Sequence, residues 1–130
     1  MKRIPVIAAM IAAAALVASP PAAASPQVTL TGRTLATPKL AGDLMRTIAG
    51  YWRRSAGCAT ISSAHMQVMS RSYAPRQPTR PATALGGHFE IWTINACAAA
   101  QRFQVAMWPS PRGGAEFAIT PLGGRVPLRR

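Results

Sequence analysis

Few side chains in this sequence could carry chemistry: the acids Asp43, Glu90 and Glu116, the imidazoles His65 and His88, and the thiols Cys58 and Cys97. His88 and Glu90 stand two apart in a β-rich run, so they share one face of a strand. If the strand bearing His65 pairs beside it in the right register, the three could hold a metal ion or serve as acid and base in a small periplasmic hydrolase. That is the alternative function for the chain. No His or carboxylate stands two or four residues from His65, which therefore reads more simply as a solvent-facing or locally hydrogen-bonded side chain. A glycosidase would need two of the three acids. Asp43 is accounted for by a helix dipole and Glu90 by a cross-strand Arg pair. There is no Gly-x-Ser-x-Gly elbow, and Gly86-Gly87 and Gly113-Gly114 fit turns better than phosphate loops. No catalytic residue, metal or cofactor is assigned.

Charge is the stronger signal. The formal net charge is +12, and removal of Lys2 and Arg3 with an export signal leaves +10. Arg71, Arg76 and Arg80 punctuate a Pro-rich stretch over 71–87, and Arg129 and Arg130 end the chain. These five are the candidate anion-binding residues. An excess of this sign favours an anionic envelope surface or an acidic protein; Arg-rich codon bias and a solvated connection are the competing readings. Nucleic acid would need Arg alternating with stacking aromatics. Only Trp108 shares an outward strand face with Arg102 and Gln104, so no specific nucleic-acid partner is expected.

Export follows from residues 1–24: Lys2 and Arg3, an apolar run over Ile4–Ala18, then Ser19-Pro20-Pro21 and small residues. The run is too short to span a bilayer in a mature protein. The expected location is the periplasm or the outside of the cell. There, two cysteines read as one disulfide, with two free thiols as the alternative. A Cys58–Cys97 bridge would contribute about 4 kcal/mol by restricting the unfolded chain.

The elements that must position these groups are a helix and strands. Residues 25–37 read as a flexible lead-in. Thr37-Pro38 caps a helix whose stripe is Leu40, Leu44, Ile48 and Trp52, and Gly57 ends it. Within Thr60–Ser70, Ala64, Met66 and Val68 alternate as a first strand. The Pro-rich loop over 71–87 excludes helix. Then comes a three-strand meander over His88–Leu122, with Trp92 and Ile94 against the helix and Trp108 exposed beside its Pro turn. Cys97 has the wrong parity to reach Cys58 unless a bulge forms at Asn95-Ala96. Pro121 and Gly123-Gly124 stop the sheet, leaving 123–130 as a basic tail. The fold class is therefore α+β, a single domain over 38–122: one amphipathic helix on a four-stranded antiparallel sheet with one disulfide.

The order Cys58, Glu90-x-Trp92-x-Ile94-x-x-Cys97, Phe103-x-Val105 and Gly113-Gly114-x-x-Phe117 resembles a pattern in small, mostly uncharacterised exported proteins of proteobacteria. Those carry a Cys, a later E-x-W-x-V-x-x-C-G segment and a closing G-G-x-x-F strand. This chain departs from it at Ala98, where Gly usually follows the second Cys. The resemblance implies an envelope or secreted protein with a disulfide, and brings no catalytic residues. The function expected is non-enzymatic: an exported envelope protein, binding or structural, that meets anionic surfaces weakly through the loop and tail.

Overall fold

A computed structural model describes residues 27–76 and 79–129. The expected signal segment and Arg130 lie outside the described residues. The helix forms as its sequence dictates. In α1 (Pro38–Ala56), the Thr37 hydroxyl accepts from the Leu40 amide at 3.2 Å, and Pro38 occupies the first turn. Gly57 closes the helix at φ 69°, its amide donating to the Arg53 carbonyl. Leu40, Leu44, Ile48 and Trp52 are its buried residues, the stripe read from spacing alone.

Five strands make one sheet in sequence order: β1 (Thr29–Gly32), β2 (Ile61–Val68), β3 (His88–Ala96), β4 (Ala99–Pro109) and β5 (Ala115–Pro127). β1 runs parallel to β2, and the other neighbours are antiparallel. The α1 stripe packs with Ala64, Met66, Trp92, Ile94, Phe103, Val105 and Met107. Alternation along β3 and β4 brings these residues to one face, with Trp92 and Ile94 against the helix as expected. A smaller cluster of Ala82, Ala106 and Trp108, flanked by Phe89 and Ala118, covers the opposite face.

The sheet thus has five strands and mixed pairing, where four antiparallel strands were expected. The addition, β1, falls in the expected lead-in. All four of its residues are exposed, so no apolar alternation announced it. Gly32 makes the pairing possible: a Cβ there would collide with the Met66 carbonyl, which instead accepts from the Arg33 amide at 2.8 Å. At the other edge, β5 passes through Pro121 and the Gly pair to Pro127. An edge strand has one side without ladder partners, which is where Pro is tolerated. A register shift opposite Gln101 absorbs the glycines, and Gln101 Nε2 donates to the Gly123 carbonyl at 3.2 Å. The tail therefore joins the sheet, and the Leu128 amide donates to Ala98.

The Pro-rich segment also differs from expectation. It contains a short helix, α2 (Arg80–Ala84), with Pro81 in its first turn, where the missing N–H is not needed. Ala82 of this helix packs on Ala106 and Trp108, so Trp108 is 9% exposed where a solvent position was expected.

The disulfide joins Cys58, just past α1, to Cys97, with Cα atoms 6.4 Å apart. No bulge forms at Asn95-Ala96; the register shift lies on β2 between Ile61 and Ser63. Cys97 reaches the bridge because it sits in the turn between β3 and β4, where Ala96 pairs with Ala99. Cys97 and Ala98 have φ 52° and 60°. Both central residues of this two-residue hairpin turn are therefore left-handed without being glycine, a conformation that costs an L-residue roughly 1–2 kcal/mol. Ala98→Gly should consequently raise stability by about 0.5–1 kcal/mol, after allowing for glycine's greater unfolded entropy. The check is the urea midpoint at unchanged slope; an unmoved or lower midpoint would show that the turn stores no such strain.

Candidate functional site

β3 alternation sends His88, Glu90 and Trp92 to the helix face. Glu90 is fully buried there. Its Oε1 accepts from the Leu35 amide at 2.7 Å and lies 3.0 Å from His88 Nε2. Its Oε2 accepts from the Thr34 hydroxyl and from Trp92 Nε1, each at 2.7 Å. Thr34 Oγ1 in turn accepts from the Ala36 amide at 3.0 Å. The carboxylate is thus enclosed by the strap that links β1 to α1, by its own strand, and by a half-buried imidazole. The expected cross-strand Arg partner is absent: across the sheet Glu90 faces Val68 and Val105. With donors on both oxygens, Glu90 acts as a tether between its strand and the strap.

The three residues of the hydrolase or metal reading do not meet. His88 and Glu90 are in contact, but His65 pairs in register with Thr93, five residues along β3 from His88. His65 is exposed on the face away from Ala64 and Met66, and its Nδ1 lies 2.9 Å from the Thr31 hydroxyl. Among the described residues no three His, Cys, Asp or Glu side chains cluster as a metal site. A shallow cavity of about 250 Å³ lies beside His88, bounded by Leu35, Leu40, Met107 and Trp108.

The other acids are also engaged locally. Asp43 pairs with Arg46 one turn along α1. Glu116 accepts from Trp108 Nε1 at 2.9 Å and from the Ser110 hydroxyl at 3.2 Å. None of the three is paired with the Arg-rich loop. Arg71, Arg76 and Arg80 are exposed and make no ion pair among the described residues; Arg129 is exposed as well.

The loop is nevertheless held. Gln104, fully buried on β4, accepts through Oε1 from the Tyr73 hydroxyl at 2.9 Å and the Arg76 amide at 2.7 Å. Its Nε2 donates to the Arg76 carbonyl at 2.7 Å. Docking therefore uses the backbone of Arg76 and leaves its guanidinium outside. Beside it runs an open groove of about 620 Å³, with Arg71, Tyr73, Thr83 and Phe89 among its walls.

Sequence reading treated Gln104 as outward and polar, and missed the Thr34-Leu35 strap. For Gln104 a signal existed: it lies between Phe103 and Val105 in a strand whose other face also carries Ala106 and Trp108, the pattern of a strand covered on both sides. For the strap there was none, because one of its two contacts is a backbone amide that any residue could supply.

No protein-family model, curated protein or solved structure matches the chain.

Removing the tether should be costly. Glu90→Ala would orphan the Thr34, Leu35 and Trp92 donors, and a loss of about 3 kcal/mol or more is expected in chemical denaturation. Thr34→Val, which removes the charge-assisted bond to Glu90 and the acceptor for the Ala36 amide, should cost about 1.5–3 kcal/mol. Near-neutral effects in both variants would show that the strap does not depend on the carboxylate.

Proposed function

We propose that this is an exported, non-enzymatic envelope protein that attaches weakly to anionic membrane surfaces through the Arg-rich loop and the basic tail. The observation that carries this reading is the unbalanced charge of the loop. Every acid is occupied elsewhere, while Arg71, Arg76 and Arg80 project from a segment whose backbone is fixed to the sheet by Gln104. Fixed, unpaired cations near an anionic surface contribute on the order of 1 kcal/mol each, within a Debye length of about 8 Å at physiological salt. Such attachment is weak and salt-sensitive.

Export is supported by the pattern of residues 1–24 and by the resemblance to small exported proteins. The Cys58–Cys97 bond is compatible with an oxidising compartment. Among the described residues no helix is long and apolar enough to cross a membrane. In this reading, attachment rests on the surface charge of the loop and tail.

Two measurements test this. Free-thiol counting on denatured, unreduced protein should find none; two reactive thiols per chain would remove the oxidising-compartment argument. Mature protein should sediment with phosphatidylglycerol-containing vesicles at low salt and be released by added salt. Changing Arg71, Arg76 and Arg80 together to Ser should weaken binding roughly tenfold or more. Thermal stability should hold, because the loop docks through backbone and through Tyr73 and Ala82. Binding indifferent to both salt and the triple change would refute the assignment.

A further inference from the structure

The loop is not the only cationic surface. Lys39, Arg46 and Arg53 recur every seven residues along α1, two turns apart, with Arg54 beside the last. This places Lys39, Arg46 and Arg53 on the side of the helix opposite Leu40, Leu44, Ile48 and Trp52, with Arg54 on its flank, and all four are exposed. Asp43 is the only acid on the helix and is taken by Arg46. Lys39, Arg53 and Arg54 make no ion pair among the described residues.

α1 covers one face of the sheet, and the loop with Arg71, Arg76 and Arg80 covers the other. Two cationic surfaces therefore point in opposite directions from one five-stranded sheet, with Lys39, Arg53 and Arg54 on one and Arg71, Arg76 and Arg80 on the other free of ion pairs among the described residues. A helix layer, the sheet and the loop layer separate them by on the order of 20 Å. That exceeds the Debye length of about 8 Å, so each surface acts on its own anionic neighbour with little influence from the other.

We infer that the protein is bivalent for anionic lipid surfaces and bridges two of them, one against the α1 ridge and one against the loop. The occupant is set by charge complementarity: the ridge presents spaced guanidinium and ammonium groups around Gly42 and Gly50, with no exposed large apolar side chain on α1 to anchor an inserted helix. This inference rests on the membrane reading above but asks for more than it does. Attachment needs one surface; bridging needs both.

The experiment separates the two. Oxidised mature protein is mixed with donor-labelled and acceptor-labelled phosphatidylglycerol–phosphatidylcholine vesicles. Binding is read by co-sedimentation, and bridging by energy transfer between the two vesicle populations. The wild type should bind and bring vesicles together, and high salt should reverse both. Each surface is then removed separately, as Arg71→Ser with Arg76→Ser and Arg80→Ser, or as Lys39→Gln with Arg53→Gln and Arg54→Gln. The second set keeps helix-favouring residues and the Arg46–Asp43 pair, and unchanged circular dichroism confirms that both proteins fold. Each variant should still sediment with vesicles, with binding weakened roughly tenfold, yet lose energy transfer. Wild-type binding without vesicle association would overturn the bridging inference and leave single-surface attachment standing. Vesicle association that persists in either variant would also overturn it, since that is the behaviour of a one-sided binder that self-associates. Absence of wild-type binding would instead remove the membrane reading itself.

Discussion

A carboxylate taken out of water must be met by donors, and at Glu90 that requirement organises one end of the molecule. Two of the donors, the Thr34 hydroxyl and the Leu35 amide, come from more than fifty residues earlier in the chain. To reach them the chain must leave β1 and cross the sheet just before α1 begins at Pro38. β1 itself has no buried side chain with which to hold its place. Its backbone ladder to β2 and the clasp at Glu90 anchor it together. The same carboxylate fixes the Trp92 indole, whose ring is fully buried beneath the helix. One buried charge thus joins the N-terminal strand, the start of the helix and the middle of the core.

The opposite face depends on a second buried polar group. Gln104 lies on the strand face away from α1, where its side-chain amide both donates to and accepts from the backbone of Arg76 and accepts from the Tyr73 hydroxyl. A neutral amide can both donate and accept, so it can dock a loop that has no regular partner strand. The consequence for function is directional. Because backbone atoms and Tyr73 make the contact, the guanidinium of Arg76 stays outside. Phe103, Val105 and Met107 meet the helix while Gln104, Ala106 and Trp108 meet the loop, so β4 is covered on both faces. The sheet becomes a septum between two layers whose outer surfaces both carry positive charge.

What could be read from the sequence is what depends on local periodicity. The α1 stripe, its Thr37 cap and its Gly57 end follow from spacing and cap chemistry, and the meander follows from alternation between turn residues. The cysteine pairing follows from there being only two. What could not be read depends on long-range contact. β1 is polar and Gly-terminated, and becomes a strand only because β2 offers it an edge. Pro121 and the Gly pair read as a stop, yet the edge position of β5 and a bulge opposite Gln101 allow the strand to continue. Pro81 read as a helix breaker, yet it starts a helical turn. Glu90 was explained by an Arg that is not there, and only the fold could show that the Thr34-Leu35 strap replaces it. The Arg residues of the loop were legible as candidates. That they face away from a second basic layer on α1 was not, because nothing local says that helix and loop cover opposite sides of the sheet.

The central structural claim is that Glu90 holds the strap closed, and hydrogen exchange tests it most directly. The Leu35 amide donates to Glu90 alone and belongs to no strand ladder or helix. If the carboxylate clasp persists in solution, this amide should exchange as slowly as the β3 and β4 core amides, and the Trp92 indole N–H should be protected with it. Exchange of Leu35 at the rate of an unstructured peptide, alongside protected core strands, would contradict the account: the strap would then be open and Glu90 held by its own strand alone.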